Sequence, residues 1–133
     1  MIIPFAKTVG IKGGVLENHH DVQNHMGSMH AGAQFTLAEA ASGYYLSSLF
    51  HDKEGSYVAL LRDASIKYKK QALSRLRSEA FVSDDVLEKF IVSYEQKGRA
   101  TITAEVKLFD TDGDVTCEGS FKWFVQKVDQ PEG

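Results

Sequence analysis

The fold is decided by residues 31–50, which read AGAQFTLAEAASGYYLSSLF. This stretch is rich in Ala and Leu, which are good helix formers, and apolar side chains fall on nearly every side of the predicted helix. Such a helix belongs in the middle of a protein rather than on its surface. At about 1.5 Å per residue it is about 30 Å long, so the concave face of a curved sheet can wrap around it.

Strands that could wrap this helix follow it in the chain. Residues 101–108 and 115–126 alternate between apolar and polar side chains, which predicts strands with one wet face. Asp112 and Gly113 lie between them and form a hairpin turn signal. Residues 57–69 and 76–83 predict two further strands, and a short strand is expected around residues 15–20.

A second, amphipathic helix is predicted between two of these strands. Ser83 is a good N-cap residue, apolar residues then recur at helical spacing from Val86 to Tyr94, and Gly98 ends the run. We therefore expect an α+β protein in which a curved antiparallel sheet wraps a long central helix and one short extra helix lies on the sheet. The length of 133 residues suits a single domain over residues 1–133.

The composition excludes several functional classes. With 15 Lys and Arg against 18 Asp and Glu, the chain lacks the basic footprint of a nucleic-acid binder. No segment approaches the 20 or so predominantly apolar residues of a membrane span, so no membrane partner is expected. Cys117 is the only cysteine, which excludes an internal disulfide and favours a reducing compartment, the cytoplasm. Its mid-strand position predicts a buried structural thiol rather than a nucleophile.

Glu39 is the only charged residue between positions 31 and 50. An ionised carboxylate is almost never fully buried without a partner, and no cation lies three or four residues away along the helix. Glu39 must therefore reach solvent, find a distant partner, or line a cavity that uses its charge. The last possibility is favoured, because the helix carries no other charge that would mark a solvated face.

The segment before this helix is polar and contains glycine, and it leads to Gly32 at the helix start. Free N–H groups at a helix N-terminus stabilise an anion, including one that exists only in a transition state. Gly32 and Glu39 lie on nearly one helical face, but seven residues separate them by about 10 Å. If the two cooperate on one substrate, Glu39 of one subunit must meet the Gly32 end of another across a two-fold axis.

The pattern Asn24-x2-Gly27-x2-His30-Ala31-Gly32, followed by Leu-Ala-Glu39, resembles the signature of the PaaI-type hotdog-fold thioesterases. That family shows an Asn, then His-Gly-Gly, then Leu-Ala-Asp with the acid nine residues after the His. Here His-Ala-Gly replaces His-Gly-Gly and Glu replaces Asp, as in a less characterised, thioesterase-like branch. The resemblance implies a hotdog fold whose subunits pair into a continuous sheet, as a homodimer or a dimer of dimers. It also implies hydrolysis of an acyl-CoA substrate at the dimer interface.

The same resemblance implies a role for each motif residue. Gly32 would donate its N–H to the oxyanion, and Glu39 would act as nucleophile or as general base on a water. Asn24 would fix the nucleophile or the water, and His30 would orient the loop or polarise the carbonyl. Ser42, one turn beyond Glu39, is a candidate substrate-site residue that supports Glu39 through a hydrogen bond.

A coenzyme A partner requires cations for its phosphates. Six Lys and Arg residues fall within sixteen positions, and we assign Arg62, Lys67 and Lys69 among them to substrate binding. The alternative for any single one of these residues is that it lies on the solvent-exposed face of a strand and binds no ligand. No metal and no cofactor are expected: the histidines match no metal motif, and residues 110–114 read as a hairpin turn rather than a calcium loop. The alternative function is a non-catalytic hotdog module that binds acyl-CoA or another acyl ligand.

Overall fold

Three α-helices and one five-stranded sheet make up the part of the chain that the structure, a computed structural model, describes: residues 3–50 and 56–128. In chain order the elements are α1 (Pro4–Val9), β1 (Val15–Leu16), a 3-10 turn (His20–Val22), α2 (Ala31–Ser48), β2 (Tyr57–Tyr68), β3 (Leu76–Phe81), α3 (Asp84–Lys97), β4 (Arg99–Phe109) and β5 (Val115–Lys127). The long helix, the amphipathic helix and the four main strands are the elements that the sequence predicts.

The sheet is antiparallel throughout, with the strand order β1-β3-β4-β5-β2. Strands β4 and β5 form its central hairpin, and Gly113 with φ 86° lies in the turn between them, which confirms the predicted turn. Strand β2 is the outermost strand on one side; it runs along β5 from Tyr57 opposite Lys127 to Tyr68 opposite Cys117. Its twelve residues leave one long edge without a neighbouring strand among the described residues.

The main core lies between the inner face of the sheet and α2. Ile102, Ala104, Val106 and Leu108 of β4 are buried, as the alternation predicts. Burial of such apolar side chains contributes about 25 cal/mol per Å² of area removed from water, which holds the helix against the sheet. The ring centroids of Phe35 in α2 and Phe121 in β5 are 5.5 Å apart.

Helix α3 closes the C-terminal end of α2. Its N-cap is Ser83, whose hydroxyl accepts from the Val86 N–H at 3.4 Å, and Gly98 with φ 71° ends it, as predicted. The buried ring of Phe90 lies edge-on to Phe50, with 6.1 Å between the centroids. Two loops, residues 24–29 and 69–75, lie at the opposite, N-terminal end of α2.

The N-terminal region differs from the sequence-based prediction. Helix α1 was not expected; Pro4 begins it and Ala6 anchors it in the core. The strand expected around residues 15–20 is only Val15–Leu16, because the chain turns into the 3-10 segment soon afterwards. Within residues 3–50 and 56–128, no helix combines the length and the apolar character that a membrane crossing requires.

Candidate active site at the start of the central helix

His30 caps the N-terminus of α2 with its own side chain. The imidazole Nδ1 accepts a hydrogen bond from the Gly32 N–H at 2.8 Å, and the His30 carbonyl accepts from Ala33 and Gln34. A Cβ added at Gly32 would lie 3.0 Å from Nδ1, so the missing side chain leaves room for this cap. Because Nδ1 is the acceptor, the neutral ring carries its proton on Nε2. An oxyanion can take the Gly32 N–H only after the imidazole turns away.

Asn24 shapes the loop that leads to this cap. Its Oδ1 accepts from the N–H groups of Met26 at 2.9 Å and Ser28 at 3.2 Å, and its Nδ2 donates to the Ser28 hydroxyl at 2.8 Å. The loop is joined to the β2–β3 connection by the Met29 N–H, which donates to the Ala72 carbonyl at 2.8 Å. The side chain of Asn24 is therefore engaged within its own loop, which leads to His30.

Glu39 lies about two turns further along α2 and is half-buried. No side chain among residues 3–50 and 56–128 forms a hydrogen bond or an ion pair with its carboxylate. Burial raises the pKa of this carboxyl above the usual glutamate value, because desolvation disfavours the charged form. Glu39 is thus a lone acid whose environment favours taking up a proton, which is a property of general bases.

Ser42 bonds to the backbone of Glu39 and to the sheet. The residue is fully buried, and its hydroxyl donates to the Glu39 backbone carbonyl at 2.7 Å while accepting from Trp123 Nε1 at 2.9 Å. It therefore ties α2 to β5, and the hydrogen bonds that the structure gives it are to the Glu39 backbone and to Trp123 rather than to the Glu39 carboxylate. The sequence predicts the proximity of Ser42 to Glu39, but it does not predict the tryptophan donor, which lies 81 positions away.

The three cations assigned to substrate binding are not brought together with Glu39. Arg62 lies over the ring of Phe124, 4.9 Å from its centroid, on the outer face of the sheet. Lys67 is on the same outer face, so the sheet separates both side chains from α2. Lys69, in contrast, lies close to the start of α2. Its ammonium forms an ion pair with Glu118 at 3.0 Å.

A cavity of about 300 Å³ lies beside the first turn of α2. Asn24, Gln34, Tyr68 and Lys69 are among its lining residues. The Tyr68 hydroxyl donates to the Ala31 carbonyl at 3.0 Å, so it holds the end of β2 against the helix start. Sequence reasoning missed Gln34 and Tyr68. A polar residue one turn inside an apolar helix was the available signal for Gln34, whereas nothing local indicates the contact of Tyr68.

The acidic turn between β4 and β5 is held by a lysine. Carboxylate oxygens of Asp110, Asp112 and Asp114 lie within 4.8 Å of one another. The Lys70 ammonium lies 3.1 Å from Asp110 and 3.0 Å from Asp114, and Asp110 also accepts from the N–H groups of Asp112 and Asp114. These bonds explain the cluster as a stabilised turn, as the sequence-based interpretation holds. Cys117 is buried, also as expected, and burial raises the pKa of its thiol to about 11.

Residues 13–125 match the family model described as a domain of unknown function, DUF4442. The chain belongs to this family. No protein among those with curated descriptions matches significantly. The family assignment therefore carries no activity with it, and solved structures provide the remaining comparison.

Three solved structures show the same arrangement of sheet and helix. A Pseudomonas aeruginosa protein of unknown function, described as a probable thioesterase, is 24% identical with a TM-score of 0.74 over 94% of this chain and 88% of that one. A Bacillus halodurans protein solved with CoA is 20% identical, with a TM-score of 0.72 over 93% and 79%. A Haemophilus influenzae thioesterase is 12% identical, with a TM-score of 0.73 over 97% and 87%. The expected hotdog fold of this DUF4442 protein is thereby confirmed.

Proposed function

We propose that this DUF4442 protein hydrolyses acyl-CoA thioesters to a free acid and CoA, at a site formed by two copies of the chain. The observation that carries the proposal is Glu39, a half-buried carboxylate of raised pKa without a partner among the described residues. An acid in this state on the central helix is costly to keep unless its charge is used. The CoA bound to the similar Bacillus halodurans protein supports the choice of substrate.

Two features support a shared site. Glu39 and Gly32 point from nearly the same face of α2 but lie about 10 Å apart along it, too far to act on one carbonyl within a single chain. Strand β2 offers an uncovered edge of twelve residues, and such an edge is a template for pairing with another strand. Pairing of two β2 edges across a two-fold axis makes a continuous sheet and sets the two copies of α2 side by side.

The chemistry assigned to this site is acyl transfer to water. The carbonyl oxygen of the thioester lies at the α2 N-terminus of one copy, after His30 has turned away from the Gly32 N–H. Glu39 of the other copy takes a proton from a water whose oxygen attacks the carbonyl carbon; the C–S bond then breaks and the thiolate leaves as CoA. Alternatively, the Glu39 carboxylate attacks first and water hydrolyses the resulting anhydride.

A second candidate function is the binding of acyl-CoA without catalysis. The observation that favours it is the hydrogen bond from the Gly32 N–H to His30, because the donor expected for the oxyanion is already satisfied. In a binding module this cap would remain closed. In an esterase it must open during each turnover.

Release of free thiol from acyl-CoAs of several chain lengths distinguishes the two functions. The wild-type protein should release CoA, and Glu39→Gln should lower kcat by about 10²- to 10⁴-fold, the usual contribution of a general base. Glu95→Gln, on the exposed side of α3, is the matched control and should retain full activity. Undiminished turnover by Glu39→Gln would reject the catalytic role. Tight binding without turnover by the wild type would establish the second function instead.

A further inference from the structure

Gln34 is an anomaly within the buried side of α2. Only 5% of the residue is exposed, and its Nε2 donates to the Met29 carbonyl at 3.0 Å. Its Oε1 is fully buried and has no hydrogen-bond partner among the described residues. A flipped amide would place Oε1 against the Met29 carbonyl oxygen, so the orientation is fixed and the acceptor stays unpaired. Most buried polar atoms in proteins have a hydrogen-bond partner, so we expect the donor for Gln34 Oε1 to come from outside the described residues.

Three donors among the residues around the cavity beside Gln34 are engaged elsewhere. The Tyr68 hydroxyl donates to the Ala31 carbonyl, the Lys69 ammonium lies on Glu118, and the Asn24 amide donates to Ser28. The cavity of about 300 Å³ has room for a small extended group. Gln34 lines this cavity, but its Oε1 has almost no accessible surface, so a donor carried by a ligand or a water reaches it after a small shift of the side chain toward the cavity.

The position of Gln34 indicates which part of a ligand it would meet. Its own N–H bonds to the His30 carbonyl at 3.1 Å, so it lies in the first turn of α2, close to where the thioester carbonyl is placed above. The thiol arm of CoA carries a secondary amide two methylene groups from the sulfur. An amide oxygen such as Oε1 accepts from an N–H but repels a carboxylate, a phosphate or an ester oxygen.

We propose that Gln34 Oε1 accepts a hydrogen bond from this amide N–H, so that Gln34 selects the thiol arm of the substrate. The inference rests on the proposed function, because that function places the thioester at the start of α2. It makes Gln34 a specificity residue: it binds the part of the substrate that does not react. Such a contact is made equally in the ground state and the transition state, so its loss raises KM and leaves kcat unchanged.

The test compares two thioesters of the same acyl group. One is the N-acetylcysteamine thioester, which has the amide; the other is its ester isostere, in which oxygen replaces the N–H. The wild type should show a KM about tenfold lower for the amide, since one hydrogen bond contributes about that factor. Gln34→Met, which keeps the size of the side chain without its acceptor, should abolish the preference. Gln96→Met, at an exposed residue of α3 that does not line this cavity, should retain it.

Equal KM values of the wild type for both compounds would overturn the proposal and assign the unpaired acceptor to a buried water. A preference that survives in Gln34→Met would also overturn it, and the wild-type comparison stands even if that variant does not fold. If the wild type releases thiol from neither compound nor from any acyl-CoA, the catalytic proposal fails. Calorimetry then measures the dissociation constants of the two compounds. Binding of the amide compound about tenfold tighter than that of the ester supports the contact with Gln34, and equal binding overturns it.

Discussion

Replacement of Ser42 by Ala removes the acceptor that the Trp123 indole N–H has among residues 3–50 and 56–128. The bond is 2.9 Å long and ends on a fully buried serine, so an alanine there leaves the partly buried indole N–H without this partner. Such a group costs about 2 kcal/mol, and the better helix propensity of Ala returns about 0.5 kcal/mol. We therefore expect a net loss of about 1.5 kcal/mol in the free energy of unfolding. For 133 residues this corresponds to a fall of about 5 °C in Tm.

Differential scanning calorimetry at one protein concentration measures this change, because an oligomer's Tm depends on concentration. Ser48→Ala is the matched control, since Ser48 is an exposed serine of the same helix that donates to the Tyr45 carbonyl three residues earlier. It should change the free energy by less than about 0.5 kcal/mol. In a Trp123→Phe background, where the donor is gone, Ser42→Ala should cost at least about 1 kcal/mol less. Equal effects of Ser42→Ala and Ser48→Ala would refute the reasoning.

Three further predictions concern pH and packing. The pKa of Glu39 is raised in the folded chain, so the stability of the wild type relative to Glu39→Gln should fall as the pH rises above about 4.3. Urea unfolding midpoints of both proteins from pH 4 to 8 measure this difference. A difference that does not change with pH contradicts the prediction. Backbone N–H groups and a lysine lower the pKa of Asp110, so Asp110→Asn should flatten the loss of stability below about pH 4, and an unchanged acid limb contradicts this. Gly119→Ala should cost about 1–3 kcal/mol, because its Cβ would lie 2.7 Å from the Ser65 carbonyl oxygen; Gly43→Ala, with 3.6 Å to its nearest neighbour, should not.

The elements predicted correctly are those whose signal lies in neighbouring residues. Helix α3 is an example, because Ser83, the apolar spacing and Gly98 are all local. The alternation of β4 and β5 likewise fixes which side chains face the core. Helix α1 escaped prediction because its six residues are too short to show a period.

The sequence indicates which residues lie around the start of α2, but it does not predict their contacts. The lone charge of Glu39 singles it out in the sequence, and the structure places it half-buried on α2. The sequence does not predict that the His30 side chain caps α2 by accepting from the Gly32 N–H, because histidine is not among the preferred N-cap residues. Ser42 and Tyr68 bond to residues 81 and 37 positions away, respectively, and such distant pairs depend on the topology of the sheet. Periodicity tells which face a residue occupies, but not what lies opposite.

The claim that two copies build one site is tested most directly by a mixed dimer. Glu39→Gln removes the acid, and Gly32→Val places a side chain against the His30 imidazole and covers the helix start. Each variant alone should lose at least about a hundredfold in kcat. Co-expression with two different tags isolates the dimer that carries one copy of each. In a shared site, that dimer holds one intact pair of Glu39 and Gly32 and should regain about half of the wild-type activity per dimer. A mixed dimer as inactive as its two parents would contradict the account.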